Sequence, residues 1–392
     1  MKLKNMLVFS ALALSAQGCF LLRPAVVSYP SPSSPAPAPP VATIPAPLPN
    51  KTAPPTTIPN PKPTQPKTAT AQEIALILPL KLTETGSTAH TQRGIDSVLQ
   101  FYQGFTMAMD SLTKLGLTAN VNVIDNQNPG IDSLKNTNYD LIAQLQTDDA
   151  IKVFLQNGQR NKFNQYNVNP AMSEHVHAIL SYVYSTFTNP KIVAIHRTQK
   201  FEVQVAESFL AQSKLLNNQS QPTEITNDKP KLADILPNLN KDQTNLIYLC
   251  SFDEPYVMNL MRELKTVAEP YRITIIGLPS WRNFKTIELD QFEKYHVIVS
   301  TANTNDYAEP AAAAYNFRKQ YFVKYATEPK LQAYKGYDTG LYFGNMLLQK
   351  GNANRTEMLH NLFDFAQTDS GVFQNKGVNI MQYKNFRFEK LK

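Results

Sequence analysis

Cysteine is almost absent from this 392-residue chain, which holds two, with one tryptophan and 14 glycines. That excludes a disulfide-built scaffold. The two cysteines could not pair sensibly either. Cys19 lies beside a processing signal, while Cys250 ends the apolar run Asn245-Leu-Ile-Tyr-Leu-Cys250, where it reads as a small buried hydrophobe. Beyond the N-terminus no stretch is long and apolar enough to span a bilayer. Nucleophile elbow, phosphate loop, dinucleotide fingerprint and zinc-protease motif are all missing, so no enzyme, cofactor or metal is expected. Acidic residues are missing before Glu73. The formal charge of +7 falls to +5 without Lys2 and Lys4, and Lys51, Lys62 and Lys67 precede the body, leaving it nearly neutral. Its basic residues form no stripe, which argues against nucleic acid as a partner.

What is present begins with Met1-Lys-Leu-Lys4, a positive n-region, and an apolar stretch from Met6 to Ala16 too short to cross a membrane. Small residues lead to Gly18-Cys19. This segment resembles the lipobox of bacterial lipoproteins, in which the cysteine is acylated and becomes the new N-terminus. Ala16 and Gln17 depart from the preferred pattern, and Leu14 is displaced by two positions. Ordinary cleavage leaving Cys19 free is the alternative, but an exposed thiol in an oxidising compartment is a liability, which favours lipidation at Cys19. From Pro24 to Pro66 proline recurs every two or three residues. It removes amide donors and fixes φ, so an extended polyproline tether is expected. The implied address is the cell envelope, held to a membrane by lipid and facing the periplasm, with the outer membrane preferred to the inner.

The body opens with Glu73-Ile-Ala-Leu-Ile-Leu-Pro-Leu80, an apolar run of the kind buried on both faces of a parallel sheet. Val98, Phe101, Phe105, Met109 and Leu112 follow at helical spacing, closed by Gly116. Asn120 to Asp125 is the next strand, and alternation continues through strands at 191–195, 246–250, 272–276 and 296–300. Intervening helices are expected at 179–187, 203–210 and 256–267, with longer ones at 311–325 and 337–349. Such alternation predicts helix-covered parallel sheets.

The opening strand, Phe101-Tyr-Gln-Gly-Phe105 and the strand ending at Asp125 together resemble the type I periplasmic-binding-protein fold, the family of branched-chain amino-acid receptors. Leu249-Cys-Ser-Phe-Asp-Glu-Pro-Tyr256, Gly277-Leu-Pro-Ser-Trp281 and Gly336-Tyr-Asp-Thr-Gly340 match later turns of that fold in order. The resemblance implies an α/β, two-lobed architecture. Its divisions are a signal peptide at 1–18, a tether at 19–72, lobe I from 73–170 and 301–365, and lobe II from 171–300 and 366–392. The first lobe is expected to be shortened. Only residues 126–165 separate the Asp125 strand from the crossover at Tyr166-Asn-Val-Asn-Pro170, and the usual Ser/Thr-rich turn is missing. The family's amino-acid site therefore cannot be carried over.

Candidate ligand contacts rest on position alone: Gly86, Ser87 and Thr88 after the first strand, Ser251 and Asp253 after a later one, and Trp281. All follow strand carboxyl ends, where open α/β sheets bind ligands. Ser251 and Asp253 are equally good helix caps, and packing at the hinge is the alternative for Trp281. Asp338 is expected to cap the helix after it. His175 and His177 would diverge on a helix, which disfavours a shared metal. Two functions stay open: a non-catalytic envelope lipoprotein binding an amino acid or cell-wall fragment between its lobes, or a scaffold contacting peptidoglycan or cell-wall synthases without a small ligand.

Overall fold

The computed structural model describes residues 71–391, apart from 81–88, 128–137, 148, 159–161, 220, 267–270, 287, 304–311 and 349–355. The chain divides into two units, Met1–Gln65 and Pro66–Lys392, and every described residue belongs to the second. Cys19, the tether and the Gly86–Thr88 loop lie outside the described residues.

Strand β1 (Gln72–Leu78) pairs in parallel with β2 (Ala119–Asp125) and β3 (Leu141–Leu145), with the helix α1 (Ala89–Thr113) between β1 and β2 in the chain. Central placement explains its apolar run: from Ile74 to Leu78 both faces are buried. Ile74, Leu76 and Leu78 face α1, whose Phe101, Phe105, Ala108 and Leu112 recur at three- and four-residue spacing. Gly116, at φ 101°, takes the left-handed turn that follows α1.

The segment after β3 is a meander, not a pair of crossovers. β3, β4 (Ile151–Gln156) and β5 (Phe163–Asn167) pair antiparallel, the first turn made possible by Asp149 at φ 63°. The first sheet has seven strands, in order β13-β14-β5-β4-β3-β1-β2, and the expected shortening of the lobe shows as the absence, among the described residues, of a helix between β3 and β5. One face of the sheet consequently carries only a small cluster among the described residues, with Ala75, Ile77, Ile142 and Phe154 at its centre.

The chain then crosses to a second sheet, through α2 (Met172–Thr186), β6 (Lys191–His196), α3 (Lys200–Leu216), β7 (Thr223–Thr226), α4 (Leu232–Ile235), β8 (Thr244–Leu249), α5 (Glu254–Lys265), β9 (Arg272–Ile276), α6 (Leu289–Lys294) and β10 (Ile298–Thr301). Strands β6 to β10 are parallel. The return carries α7 (Ala312–Tyr325), α8 (Leu331–Leu347), a hairpin of β11 (Thr356–Glu357) and β12 (Leu362–Phe363), then β13 (Phe365–Gln367) and β14 (Phe373–Asn375) on the first sheet. A last crossing brings β15 (Asn379–Lys384) and β16 (Arg387–Lys390) to the second sheet, in order β16-β15-β10-β9-β8-β6-β7. Residues 366–375, expected in lobe II, thus pair in lobe I. Tyr166 holds them there, with Phe373 stacked 4.7 Å from its ring and Phe365 edge-on at 5.3 Å.

Helix α8 starts at Leu331, earlier than its sequence pattern predicted, because its small residues seat it on α1. A Cβ on Gly336 would lie 2.1 Å from the Phe101 carbonyl oxygen, and one on Gly104 only 1.9 Å from that of Ala333. Two of the three glycine-bearing motifs that resembled the family fold, at 101–105 and 336–340, are therefore the two halves of one backbone-to-backbone helix contact.

Candidate functional site

Strand carboxyl ends in the second sheet were the expected ligand edge, and Ser251 and Asp253 do follow β8 there. Both are already engaged. Glu202, buried in the first turn of α3, accepts Nε and Nη2 of Arg197, the Ser251 hydroxyl at 2.9 Å and the Phe252 amide at 3.2 Å. Burial alone would raise the Glu202 pKa, but these donors together outweigh it and hold the carboxyl below its ordinary value. Asp253 caps α5, accepting the Tyr256 amide at 2.8 Å, and pairs with Arg197 at 3.0 Å.

Trp281 corrects a second expectation. It is 1% exposed, stacked on Phe284 and Phe292, and its Nε1 donates to the Ser251 carbonyl at 2.9 Å. Its ring fills the core of the second lobe, so no face is left for a ligand. Gly277 before it is required by that packing, since a Cβ there would meet the indole at 2.3 Å.

Asp338 does not cap a helix. It lies inside α8, fully buried, and accepts the backbone amides of Leu359, His360 and Asn361 plus the Asn361 side chain, all at 2.8–3.0 Å. Burial pushes its pKa up to about 7 against the opposing pull of these donors. Of the two histidines on α2, His175 is buried against the Ser300 hydroxyl at 3.0 Å and His177 is exposed. Among the described residues no group of His, Cys, Asp or Glu is placed to hold a metal ion. Cys250 is buried, as read from the sequence.

Of the sequence candidates within the described residues, Ser251, Asp253 and Trp281 lie outside the cavity between the two lobes, whereas His175 lines it. This cavity, of about 310 Å³, lies against the crossings between the sheets. Val168, Asn169 and Pro170 of the first crossing and Thr301, Ala302 and Asn303 of the second form its walls. Lobe I adds Leu331 and Lys335 from α8, and lobe II adds Arg282 from the 3₁₀ turn Pro279–Asn283 after β9. Arg282 Nη1 donates to Thr301 Oγ1 at 3.0 Å. Burial lowers the Lys335 pKa, partly offset by Asp149. No Asp or Glu lines the cavity among the described residues.

Asn375, at the third crossing, ties the hinge together. Its Nδ2 donates to the carbonyls of Val168 at 2.8 Å and Leu362 at 2.9 Å, while its Oδ1 accepts the amides of Asp364 and Gly377, each at 2.9 Å. Every hydrogen-bonding position of the buried amide is therefore used. Sequence reasoning missed Asn375, Arg282 and Lys335. An Asn–Lys–Gly turn was the only available signal for the first, and nothing local marks the other two.

Two α/β lobes on seven-stranded, mostly parallel sheets, linked by three crossings around a shared cavity, define the type I periplasmic-binding-protein-like architecture. The chain is similar to a protein from Rhodospirillum rubrum assigned to a branched-chain amino acid ABC transporter, with TM-score 0.55 and 12% identity, over 82% of this chain and 100% of that one. It is also similar to the C-domain of LpoA from Haemophilus influenzae, described as a regulator of PBP1A, with TM-score 0.50 and 12% identity over 82% and 100% of the two chains. No protein-family model matches the sequence, and no curated protein does. Among the described residues no helix is long and apolar enough to cross a membrane.

Proposed function

We propose that this protein is a non-catalytic lipoprotein of the bacterial envelope that binds a small ligand between its lobes. The observation that carries this reading is the cavity at the crossings. Its volume of about 310 Å³ is at the small end of ligand sites, and both lobes and two crossings contribute to its wall. A ligand there would touch the segments that must bend if the lobes move. Attachment through acylated Cys19 and a proline-rich tether completes the proposal, with the likeness to the Rhodospirillum rubrum and LpoA structures in support of an envelope address. Mass spectrometry of the mature N-terminus tests the anchor. Acylated Cys19 is expected, and an unmodified first residue other than Cys19 removes the lipoprotein claim.

A scaffold or regulator acting on cell-wall synthesis is the second reading. Support comes from the likeness to the LpoA C-domain and from an apolar groove where α1 meets the ends of β1 and β2. Leu80, Tyr102 and the exposed Ile95, Leu99 and Val123 line it. The two readings separate in one experiment. Thermal shift of the protein against amino acids and muropeptides should rise with concentration for a receptor. A flat response, with cell-wall synthases recovered by cross-linking in the native envelope, would favour the regulator.

A further inference from the structure

The hairpin of β15 and β16 is closed by two residues, Asn385 and Phe386, since Lys384 pairs with Arg387 across it. Both have positive φ, 54° and 60°, as a type I′ turn requires. Glycine takes the second position of such a turn freely, whereas phenylalanine there is strained. The fold nevertheless fixes it. The carboxylate of Glu293 in α6 accepts the Asn385 amide at 3.1 Å and the Phe386 amide at 3.2 Å. Tyr383 and Phe388 of the same hairpin pack inward on Phe292, at 5.3 and 5.9 Å between ring centres. Phe386 does not join them and stands 65% exposed. A strained backbone that holds an apolar ring in water points to a use outside the fold.

The tip lies at the pole of lobe II away from the crossings. β10 runs from Ile298 to its crossing at Thr301 and β15 runs antiparallel to it, so residues 384–387 project beyond the amino end of β10. Helix α3 returns from the carboxyl end of β6 to the start of β7, which is parallel to β6, so its last turn reaches the same pole. That turn holds Leu215, 83% exposed, beside Lys214. Four strand spacings separate β15 from β6, so the two apolar points stand roughly 20 Å apart. Lys384 adjoins the tip and Lys294 adjoins its clamp, and neither they nor Lys214 form an ion pair among the described residues. Glu389, the acid within the hairpin, is taken by Arg387 at 3.0 Å. We infer that this pole contacts a membrane, with Phe386 and Leu215 entering the apolar edge of a bilayer and the three lysines meeting anionic lipid headgroups. Protruding side chains this far apart suit a planar fluid surface, which needs no matching pocket. A second copy docked pole to pole would set these lysines against their own counterparts. The inference goes beyond the ligand reading and stands whether or not Cys19 is acylated.

Fluorescence of the mature protein on vesicles tests this. Phe386→Trp places a reporter at the tip, while the native Trp281 is buried and does not respond. On vesicles containing phosphatidylglycerol the tip emission should shift to the blue and be quenched by lipids brominated on their acyl chains. Both effects should weaken on phosphatidylcholine alone and in added NaCl. Such quenching acts only at short range, so an acyl chain on Cys19 cannot produce it. Phe201→Trp, in the first turn of α3 and so at the opposite end of lobe II, should not be quenched. Flotation of the mature chain carrying Cys19→Ser, which takes no lipid, reads the affinity. Phe386→Gly should lower it about tenfold, and Lys384→Gln or Lys294→Gln about fivefold each. The same Phe386→Gly should raise the melting temperature, because glycine relieves the turn. A tip tryptophan left unquenched, or quenched no more than one at position 201, would overturn the inference and leave the anchor and the ligand reading standing. A photoreactive phenylalanine at 386 that cross-links protein and no lipid in the native envelope would overturn it as well. So would a lower melting temperature for Phe386→Gly, which would make the ring a structural residue.

Discussion

Replacing Gly336 with alanine puts a methyl group into space that backbone already occupies. The new Cβ would stand 2.1 Å from the Phe101 carbonyl oxygen and 2.9 Å from its carbon. Ordinary contact begins near 3.4 Å, so α8 must move away from α1 by more than an ångström. The seam that would open holds Phe101, Phe105, Ala108, Leu112 and Phe343, all fully buried. Alanine favours the helix by about 1 kcal/mol relative to glycine. Overpacking a close contact costs about 1–3 kcal/mol, and more where the neighbour is main chain. The net is a loss of roughly 2 kcal/mol or more. Gly94→Ala, on the exposed side of α1 with nothing within 4 Å of its Cβ, is the control and should stabilise by up to about 1 kcal/mol. Urea unfolding followed by circular dichroism would read both as midpoint shifts at constant slope. Equal shifts of the same sign would refute the argument, because helix propensity alone would then explain both.

Three further outcomes follow from buried polar groups. Asn375→Asp turns two donated hydrogen bonds into contacts between a carboxylate and the carbonyls of Val168 and Leu362, so it should cost about 3 kcal/mol or more in urea unfolding. Glu202→Gln weakens the binding of Arg197, Ser251 and Phe252, and a loss of about 2–4 kcal/mol is expected at pH 7, shrinking as pH falls through the depressed carboxyl pKa. His175 and His360 are held near 4 and 3, below the ordinary 6.5. Their contribution is therefore complete above pH 6.5 and is lost as pH falls toward 4. Melting temperature should decline over that window, and His175→Gln should make the decline shallower throughout it, leaving the part due to His360.

The sequence discloses most where a residue's role is local or set by a layer. Apolar runs such as Ile74–Leu78 and Leu246–Leu249 announce central parallel strands because both faces are buried, and the caps and spacing of α1 and α5 announce their helices. It misleads where a role depends on distant partners. The sequence marks no strand across β4 and β5, because Phe163–Asn167 is polar and one of its two neighbours, β14, lies some two hundred residues later. Asp338 looked like a cap because a helix was expected to begin beside it at 337, yet its partners are the amides of 359–361. Trp281 follows a strand end, as ligand contacts do, but the bare Gly277 below it draws the indole inward. Arg282 and Lys335 carry no local sign at all. Their significance arises only when α8 returns to lobe I and the turn after β9 faces it.

The division of labour between the two candidate edges bears on how the molecule could work. At the β6 and β8 ends of lobe II, Arg197, Glu202, Ser251 and Asp253 satisfy one another, so a ligand placed there would have to break a buried ion pair. Removing one partner of such a pair costs about 3–5 kcal/mol, comparable to the whole affinity of a millimolar ligand. That edge is effectively closed. The crossings are different. There Arg282 and Lys335 line one cavity from different lobes, and the walls include Val168–Pro170 and Thr301–Asn303, which carry the chain between lobes. Asn375 fixes the first of these to the third crossing through the Val168 carbonyl. A ligand bound in this space would touch the hinge segments directly rather than through the sheet edges.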